Sequence, residues 1–536
     1  MRRPALVCLA VSLLTAAAAL AAFLWARLHP APPARSSTLR LSTNVSSVVA
    51  GGFVPIFWTG ADSRSSNDWI GFFGSLPITQ GTLMSELWQF THGGIDPLDQ
   101  PSPTNGSVFV RAPALPGIYS AFYCLNSSFT CVAWMDIQVV PPSPTCRPPG
   151  DTASSIKHTI VVISENHSFD SYFGLYCQAP FGSAPNCTAG RSCCETALGP
   201  VAAPPVFLND STNLAFDPCH TNECETCAMN GGMMNRYLSS GGCPGSDNRT
   251  YALADGSATG GSKYWQWAQQ YAMADRFFQS SPGASGQSDM FFARGTWVFD
   301  DNEVDPPGAP CASFTRAYYE PTIADLLLGC GVSFTFYAEG YDQSRSSGRC
   351  WPNYYDPGDD PFQYYPSLTG SPNASVIFRD LQDLFGDIAG QTLPAVSFVK
   401  PLGIHSEHPG SSTISAGEAF NEAIIDAVLA SPTYRNCTLV ILVPDESGGF
   451  RDGVAPPPTN PIDHRPYGPR TPFVVIGYAA KQNYVSHEQL EPASIIRFLE
   501  SNYLGDPEPG QLMTRDVIAN NIGSLLDANK TRFRFR

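Results

Sequence analysis

Thr159-Ile-Val-Val-Ile-Ser-Glu-Asn-His-Ser-Phe-Asp-Ser-Tyr-Phe-Gly174 and Leu439-Val-Ile-Leu-Val-Pro-Asp-Glu-Ser-Gly-Gly-Phe450 decide the fold. Each starts as a short β-rich apolar run and ends in a polar pair, Glu165-Asn166 in one and Asp445-Glu446 in the other. If both runs are strands of one sheet, those four side chains can meet at its edge. In open α/β sheets ligands collect beyond the carboxyl ends of parallel strands. Clustered oxygen donors there suit a hard divalent cation. One such pair alone reads more readily as a polar strand exit that caps the next helix. Its recurrence turns the reading toward chemistry.

Working outward, further strands are expected at Val332 to Tyr337, Ala395 to Val399 and Pro472 to Ile476. Helical periodicity marks Tyr264 to Met273, Thr322 to Leu328, Gly417 to Leu429 and Ala493 to Tyr503. Strands that alternate with helices imply an α/β fold with a mostly parallel sheet covered on both faces. The proline-rich run Pro141 to Pro149 bounds this region on its amino-terminal side. Before it, short alternating segments such as Phe53 to Trp58, Ser107 to Arg111, Ile118 to Tyr123 and Val132 to Val139 predict a small all-β sandwich. The expected division is 1–35 leader and linker, 36–142 sandwich and 143–536 catalytic domain.

The 536 residues are 43% hydrophobic and 15% charged, with 48 Pro and 46 Gly, as in a globular, loop-rich chain. A formal charge of -16 without a basic cluster argues against nucleic acid as a partner. The apolar run Ala5 to Ala26, preceded by Arg2 and Arg3, reads as a membrane-spanning signal anchor or as a cleaved signal peptide. Either places the chain in the secretory pathway, as an extracellular protein or as a lumenal or cell-surface one with a single amino-terminal anchor. Sixteen cysteines agree with an oxidising compartment. Cys8 lies in the apolar run, so at least one of the other fifteen stays unpaired or bonds another chain. Cys124 and Cys131 are spaced to staple a hairpin, and zinc competes with disulfides for Cys224 and Cys227. Sequons start at Asn44, Asn105, Asn126, Asn186, Asn209, Asn248, Asn373, Asn436 and Asn529. Asn166-His-Ser168 is another, where a glycan would block the proposed site.

Between the two acidic corners lies Ser280-Ser-Pro-Gly-Ala-Ser285. A hydroxyl after Pro-Gly, just before a helix, can face backbone N–H donors and an anion. Ser285 is therefore a candidate nucleophile, with helix capping as its plain alternative.

With these pieces in order, residues 155 to 505 resemble the bacterial phospholipase C and acid phosphatase family of phosphoesterases, in the alkaline-phosphatase-like superfamily. The resemblance rests on Glu165-Asn-His-Ser-Phe-Asp-Ser-Tyr-Phe-Gly174, Pro218-Cys-His220 with Asn230-Gly-Gly-Met-Met234, and Ala272 to Phe278 with Gly283-Ala-Ser285. It continues in Glu407-His-Pro409, Asp445 to Phe450, Gly468-Pro-Arg-Thr-Pro472 and Ser494 to Glu500. It implies that Glu165, Asn166, Asp445 and Glu446 hold a divalent metal ion (Mg, Mn, Ca or Zn), that Ser285 is the nucleophile, and that His220 and His408 face the phosphoryl oxygens. The implied reaction is hydrolysis of a phosphate ester or phospholipid through a phosphoserine. In the amino-terminal part, Asn67-Asp-Trp-Ile-Gly-Phe-Phe73 resembles the module that precedes some purple acid phosphatases.

Four positions depart from the family pattern: Tyr364 and Tyr365 replace a His pair, Gly453 replaces a His, and Ser288 replaces an Asn. His405 is a candidate substitute imidazole, with a supporting role as the alternative. Tyr354, Tyr355, Tyr364, Tyr365 and Trp351 are candidates for a cationic headgroup site. The departures also leave open a non-catalytic binding ectodomain that keeps the fold and has lost turnover.

Overall fold

Apolar side chains at every position of Ile160 to Ile163 cannot be hidden by a sheet with one wet face, and they are not. Ile160 and Val162 enter one core cluster, Val161 and Ile163 another on the opposite face. The computed structural model describes residues 38–535 except 62–64, 74–82, 93–102, 179–193, 199–200, 257–261, 344–347, 350 and 506–509. The chain forms two compact units, Met1–Pro141 and Pro142–Arg536.

In the first unit, β1 (Arg40–Ser42), β3 (Phe53–Thr59) and β6 (Gly106–Arg111) form a three-stranded sheet. A five-stranded sheet is built from β2 (Ser47–Val49), β8 (Cys131–Val140), β7 (Gly117–Cys124), β4 (Trp69–Phe73) and β5 (Leu83–Phe90). Trp58 of β3 meets Tyr123 of β7 with ring centroids 6.1 Å apart, so the sheets share a core. Cys124 and Cys131 are disulfide-bonded across the β7–β8 hairpin. Asp68 of the Asn67 to Phe73 run is buried and accepts from the Tyr123 hydroxyl and the Asn126 N–H. That run is therefore framework.

The second unit is α/β. Its eight-stranded sheet has the order β14-β13-β15-β9-β16-β17-β12-β18. The strands are β9 (His158–Ser164), β12 (Ala272–Ala274), β13 (Phe334–Ala338), β14 (Phe378–Asp380), β15 (Val396–Lys400), β16 (Thr438–Pro444), β17 (Phe473–Ile476) and β18 (Tyr484–Ser486). β10 (Val206–Leu208) and β11 (Ala252–Ala254) form a separate parallel pair. Only β17 runs against the other strands of the large sheet. The helical reading of Tyr264 to Met273 is corrected at its end. The helix is Ser262–Gln270, and Ala272-Met-Ala274 pairs between β17 and β18. Small apolar residues carry no period over three positions, so the neighbouring strands decide.

Cys219–Cys224 and Cys227–Cys243 are disulfides, which places Cys224 and Cys227 in different bridges and removes the zinc reading. Cys146–Cys330 and Cys177–Cys194 are also bonded, and Cys437 is a free thiol. The apolar run Ala5 to Ala26 lies outside the described residues. Among those described, no helix is long and apolar enough to cross a membrane, so the transmembrane expectation gains no support.

Candidate active site

β15, β9 and β16 are adjacent, parallel and in register, with Pro444 opposite Ser164 and Val399 opposite Val162. Their next residues must therefore emerge side by side, about 5 Å apart. Glu165 and Asp445 follow β9 and β16, and Lys400 ends β15. The buried Lys400 ammonium lies 3.2 Å from Glu165, 3.1 Å from Asp289 and 3.4 Å from Asp445. Burial opposes ionisation of Glu165, but the Lys400 ammonium outweighs it and holds this carboxyl below its ordinary value. Asp289 and Glu446 are pushed well above theirs, first by burial and then by neighbouring carboxylates. Glu446 Oε1 and Asp289 Oδ1 are buried with no hydrogen-bond partner among the described residues. One ammonium cannot balance Glu165, Asp289, Asp445 and Glu446 together, so burial holds Asp289 and Glu446 toward their neutral forms, and oxygen donors without partners are what a hard cation satisfies.

Asn166 is fully buried and has φ 54°. Its backbone is met by Gly448, where a Cβ would stand 2.2 Å from the Asn166 carbonyl oxygen, so the two corners close on each other only with glycine there. The Asn166 side-chain nitrogen that a glycan would take is inside the protein.

Ser285 opens the helix Ser285–Arg294. The N-cap is Ala284, which makes no side-chain cap, so capping is not the duty of this serine. Its Oγ points at Asn166 Oδ1 at 3.5 Å, the outer limit of a hydrogen bond, and faces the Asp445 carboxyl. One turn later, Asp289 lies on the same helix face and reaches Lys400. The loop before Ser285 is tied by Glu225, which accepts from the Gly283 N–H at 2.9 Å and the Gln279 side chain at 3.1 Å. Its other oxygen accepts from Ser447 Oγ at 2.5 Å, so one buried carboxyl joins the serine loop to the Asp445-Glu446 corner. Burial pushes Glu225 up to about 7.

His220 and His408 face each other with centroids 5.8 Å apart. Each Nδ1 donates to a backbone carbonyl, His220 to Pro218 at 2.8 Å and His408 to Pro409 at 2.6 Å. A carbonyl can only accept, so the lone pair of each neutral ring sits on Nε2. His408 Nε2 is 3.9 Å from Glu165. Asp217, His220 and His408 each offer a ligand atom, all within 4.8 Å of one another. Trp351 packs edge-on against His408 at 5.0 Å and is 38% exposed.

The other singled-out residues do different work. His405 turns away to Glu339 at 2.9 Å, so it supplies no substitute imidazole. Tyr355, Tyr364 and Tyr365 are buried in the core, and the Tyr364 hydroxyl donates to the carbonyls of Val304 and Gly358. These three are therefore no headgroup site. At Gly453 a Cβ would stand 2.1 Å from the Ala197 carbonyl oxygen, so a histidine cannot occupy this backbone as it lies. Arg470 is buried between Asp170 and Asp452, which makes the Gly468 to Pro472 motif a clamp on the Glu165 to Gly174 loop. Lys400, Asp289 and Glu225 join the site without having been expected there. Lys400 carried a usable signal, a charge at a strand exit; the other two sit within helices and carried none.

Glu407 is also framework. It is fully buried, accepts from the hydroxyls of Tyr172 and Tyr264, and is pushed up by burial to about 8 from an ordinary 4.5. A carboxyl raised on folding favours the folded state fully below its unfolded value, and that contribution is lost as pH rises through the folded value. Thermal stability should therefore fall between about pH 5 and pH 8, and Glu407→Gln should flatten that slope. Melting curves across the range check this, and an unchanged slope in the variant would remove Glu407 as its source.

The phosphoesterase family profile matches residues 156–504. The chain belongs to the phosphoesterase family. Among curated relatives, the non-hemolytic phospholipase C of Pseudomonas aeruginosa is 25% identical over 420 residues, 69% of this chain and 57% of that protein. The enzyme of the same name from Burkholderia pseudomallei is 25% identical over 66% of this chain and 56% of its own length. The non-specific phospholipase C6 of Arabidopsis thaliana is 23% identical over 57% of this chain and 55% of its own. The phosphoesterase chain thus spans just over half the length of the curated relatives it matches. A solved phosphonate monoester hydrolase from Silicibacter pomeroyi covers 49% of this chain and 70% of its own at 10% identity and a TM-score of 0.28, too low to bear on the fold.

Proposed function

We propose that this phosphoesterase hydrolyses phosphoric esters in two steps, with Ser285 as nucleophile and a phosphoserine between them. The observation that carries the reading is the uncapped Ser285 hydroxyl between Asn166 and Asp445, within a buried excess of carboxylates. Glu165, Asn166, Asp445 and Glu446 would hold a divalent cation, which when bound supplies positive charge for the phosphoryl oxygens and favours the ionised hydroxyl. Ser285 Oγ attacks phosphorus in line, the P–O bond to the alcohol breaks, and the alcohol leaves with a proton. Water then attacks the phosphoserine, releasing phosphate or phosphomonoester and restoring the hydroxyl. His220 and His408 each keep a lone pair on Nε2; one ring takes the Ser285 proton and hands it to the leaving alcohol, and a ring then takes a proton from the attacking water. Glu225 holds the serine loop against the second acidic corner, and the Lys400 ammonium orients Glu165, Asp289 and Asp445.

Phospholipase C and acid phosphatase activities share this chemistry and differ in the leaving group. The relatives' names favour the phospholipid, and the part-exposed Trp351 beside His408 is an aromatic surface that a cationic headgroup can use. Purified chain should hydrolyse p-nitrophenyl phosphate, its bis ester or phosphatidylcholine in side-by-side assays with Mg²⁺, Mn²⁺, Ca²⁺ or Zn²⁺. Chelator should remove the activity. No turnover of any substrate with any of these ions would overturn the reading and leave the binding ectodomain in its place.

A further inference from the structure

We infer that Asp217, His220 and His408 form a second cation site, separate from the oxygen cradle and suited to zinc or a similar imidazole-seeking ion. The ligand atoms of these three residues lie within 4.8 Å of one another. Their donor set differs in kind from the cradle: two imidazoles and one carboxylate against three carboxylates and an amide. Imidazole suits zinc-class ions, whereas carboxylate and amide oxygens suit Mg²⁺, Ca²⁺ or Mn²⁺. Three protein ligands and an open fourth position is a common zinc arrangement.

The orientation of the rings supports the site independently of their spacing. Metal-ligating histidines present one nitrogen to the ion and donate the other N–H to a carbonyl or carboxylate. Both rings here do so, through Nδ1 to Pro218 and Nδ1 to Pro409. Trp351 packs on His408 and limits its rotation. Asp217 belongs to the same chain segment as His220, and its Cβ lies 3.2 Å from where a Cβ on Gly410 would stand, so it is seated on the His408 loop. A tetrahedral ion with bonds of about 2.0 Å draws its ligands to roughly 3.3 Å apart. Asp217 Oδ1 stands 3.6 Å from His220 Nδ1, the nitrogen turned to Pro218, so this side chain, 45% exposed, has to swing to the Nε2 side to join the ion. Glu165 marks the border between the sites, with Oε1 toward Lys400 and Oε2 toward His408.

On the proposed reaction, which this consequence rests upon, zinc bound here occupies the lone pairs of both imidazoles. Zinc is then an inhibitor of enzyme already loaded with Mg²⁺. The test is calorimetric titration of Zn²⁺ into the full chain held in excess Mg²⁺, with p-nitrophenyl phosphate hydrolysis followed in parallel. The wild type should take up zinc and lose activity over the same concentration range. Asp217→Asn should weaken zinc uptake by about 10-fold, and His220→Ala by about 100-fold or more. Glu446→Gln should leave the zinc event in place. Absence of zinc uptake, or equal uptake in wild type and His220→Ala with normal melting curves, would overturn the site. Zinc uptake with the expected variant pattern in a chain that hydrolyses nothing would support the site and sink the hydrolase reading. Hydrolysis without zinc uptake would do the reverse.

Discussion

Replacing Ser285 by alanine should lower turnover of every phosphoric ester by at least about 10³-fold, some 4 kcal/mol of barrier, while the protein stays folded. The size follows from the role, since without Oγ no covalent intermediate can form. The unchanged fold follows from the structure. Ser285 neither caps its helix nor fills a large volume, and among the described residues its hydroxyl meets only the Asn166 and Asp445 side chains, the former at 3.5 Å. Removing it should shift stability by no more than about 1 kcal/mol. Two measurements make the result decisive. Acid-quenched wild type incubated with labelled substrate should yield a phosphopeptide containing Ser285, absent from the variant, and melting curves should coincide. Retained hydrolysis in Ser285→Ala would exclude this nucleophile, and retained ligand binding in a chain without turnover would favour the binding ectodomain.

The largest expected loss of stability comes from Lys400→Met. The ammonium is 2% exposed and is shared by three carboxylates. Removing one partner of a buried ionic group leaves the others uncompensated, which costs roughly 3–5 kcal/mol. The stranded carboxyls of Glu165, Asp289 and Asp445 would bind protons more tightly when folded than when unfolded. Stability gained by that protonation is present at low pH and lost as pH rises, so the deficit should be small near pH 4 and full at neutral pH. Adding Asp289→Asn removes one stranded charge and should recover part of the loss. Urea unfolding of both variants at about pH 5 and pH 7.5 checks the sign and the recovery. Equal midpoints for wild type and Lys400→Met would mean that the buried ammonium contributes nothing net.

Much of the second unit was legible locally. Runs such as Ile160 to Ile163 and Leu439 to Val443 are apolar at every position, which only a strand covered on both faces tolerates. Helices of ten residues or more, such as Pro492–Tyr503, repeat their apolar face often enough to be seen. The strand Ala272-Met-Ala274 was not legible, because three small apolar residues take the conformation their neighbours supply. The family motifs marked the region but did not sort its members. Glu407 and Arg470 stand in motifs as prominent as those of Ser285 and Asp445, yet they hold loops in place. Lys400, Asp289 and Glu225 stood outside the motif reading, yet they neutralise or tether the candidate site.

What the sequence determined by itself is therefore the strand-forming runs, the polar exits at Glu165-Asn166 and Asp445-Glu446, the serine poised after Pro-Gly, and the family. Those features are written in residue type and short-range spacing, which act within a few residues of the chain. Only the tertiary structure decided that β15 lies beside β9 and brings Lys400 among the acids, that Asp217 and His220 meet His408 from another segment, and that His405 and Tyr364 face elsewhere. Strand order and loop closure are settled by long-range packing and by the charge balance of a buried edge, and no local pattern encodes either.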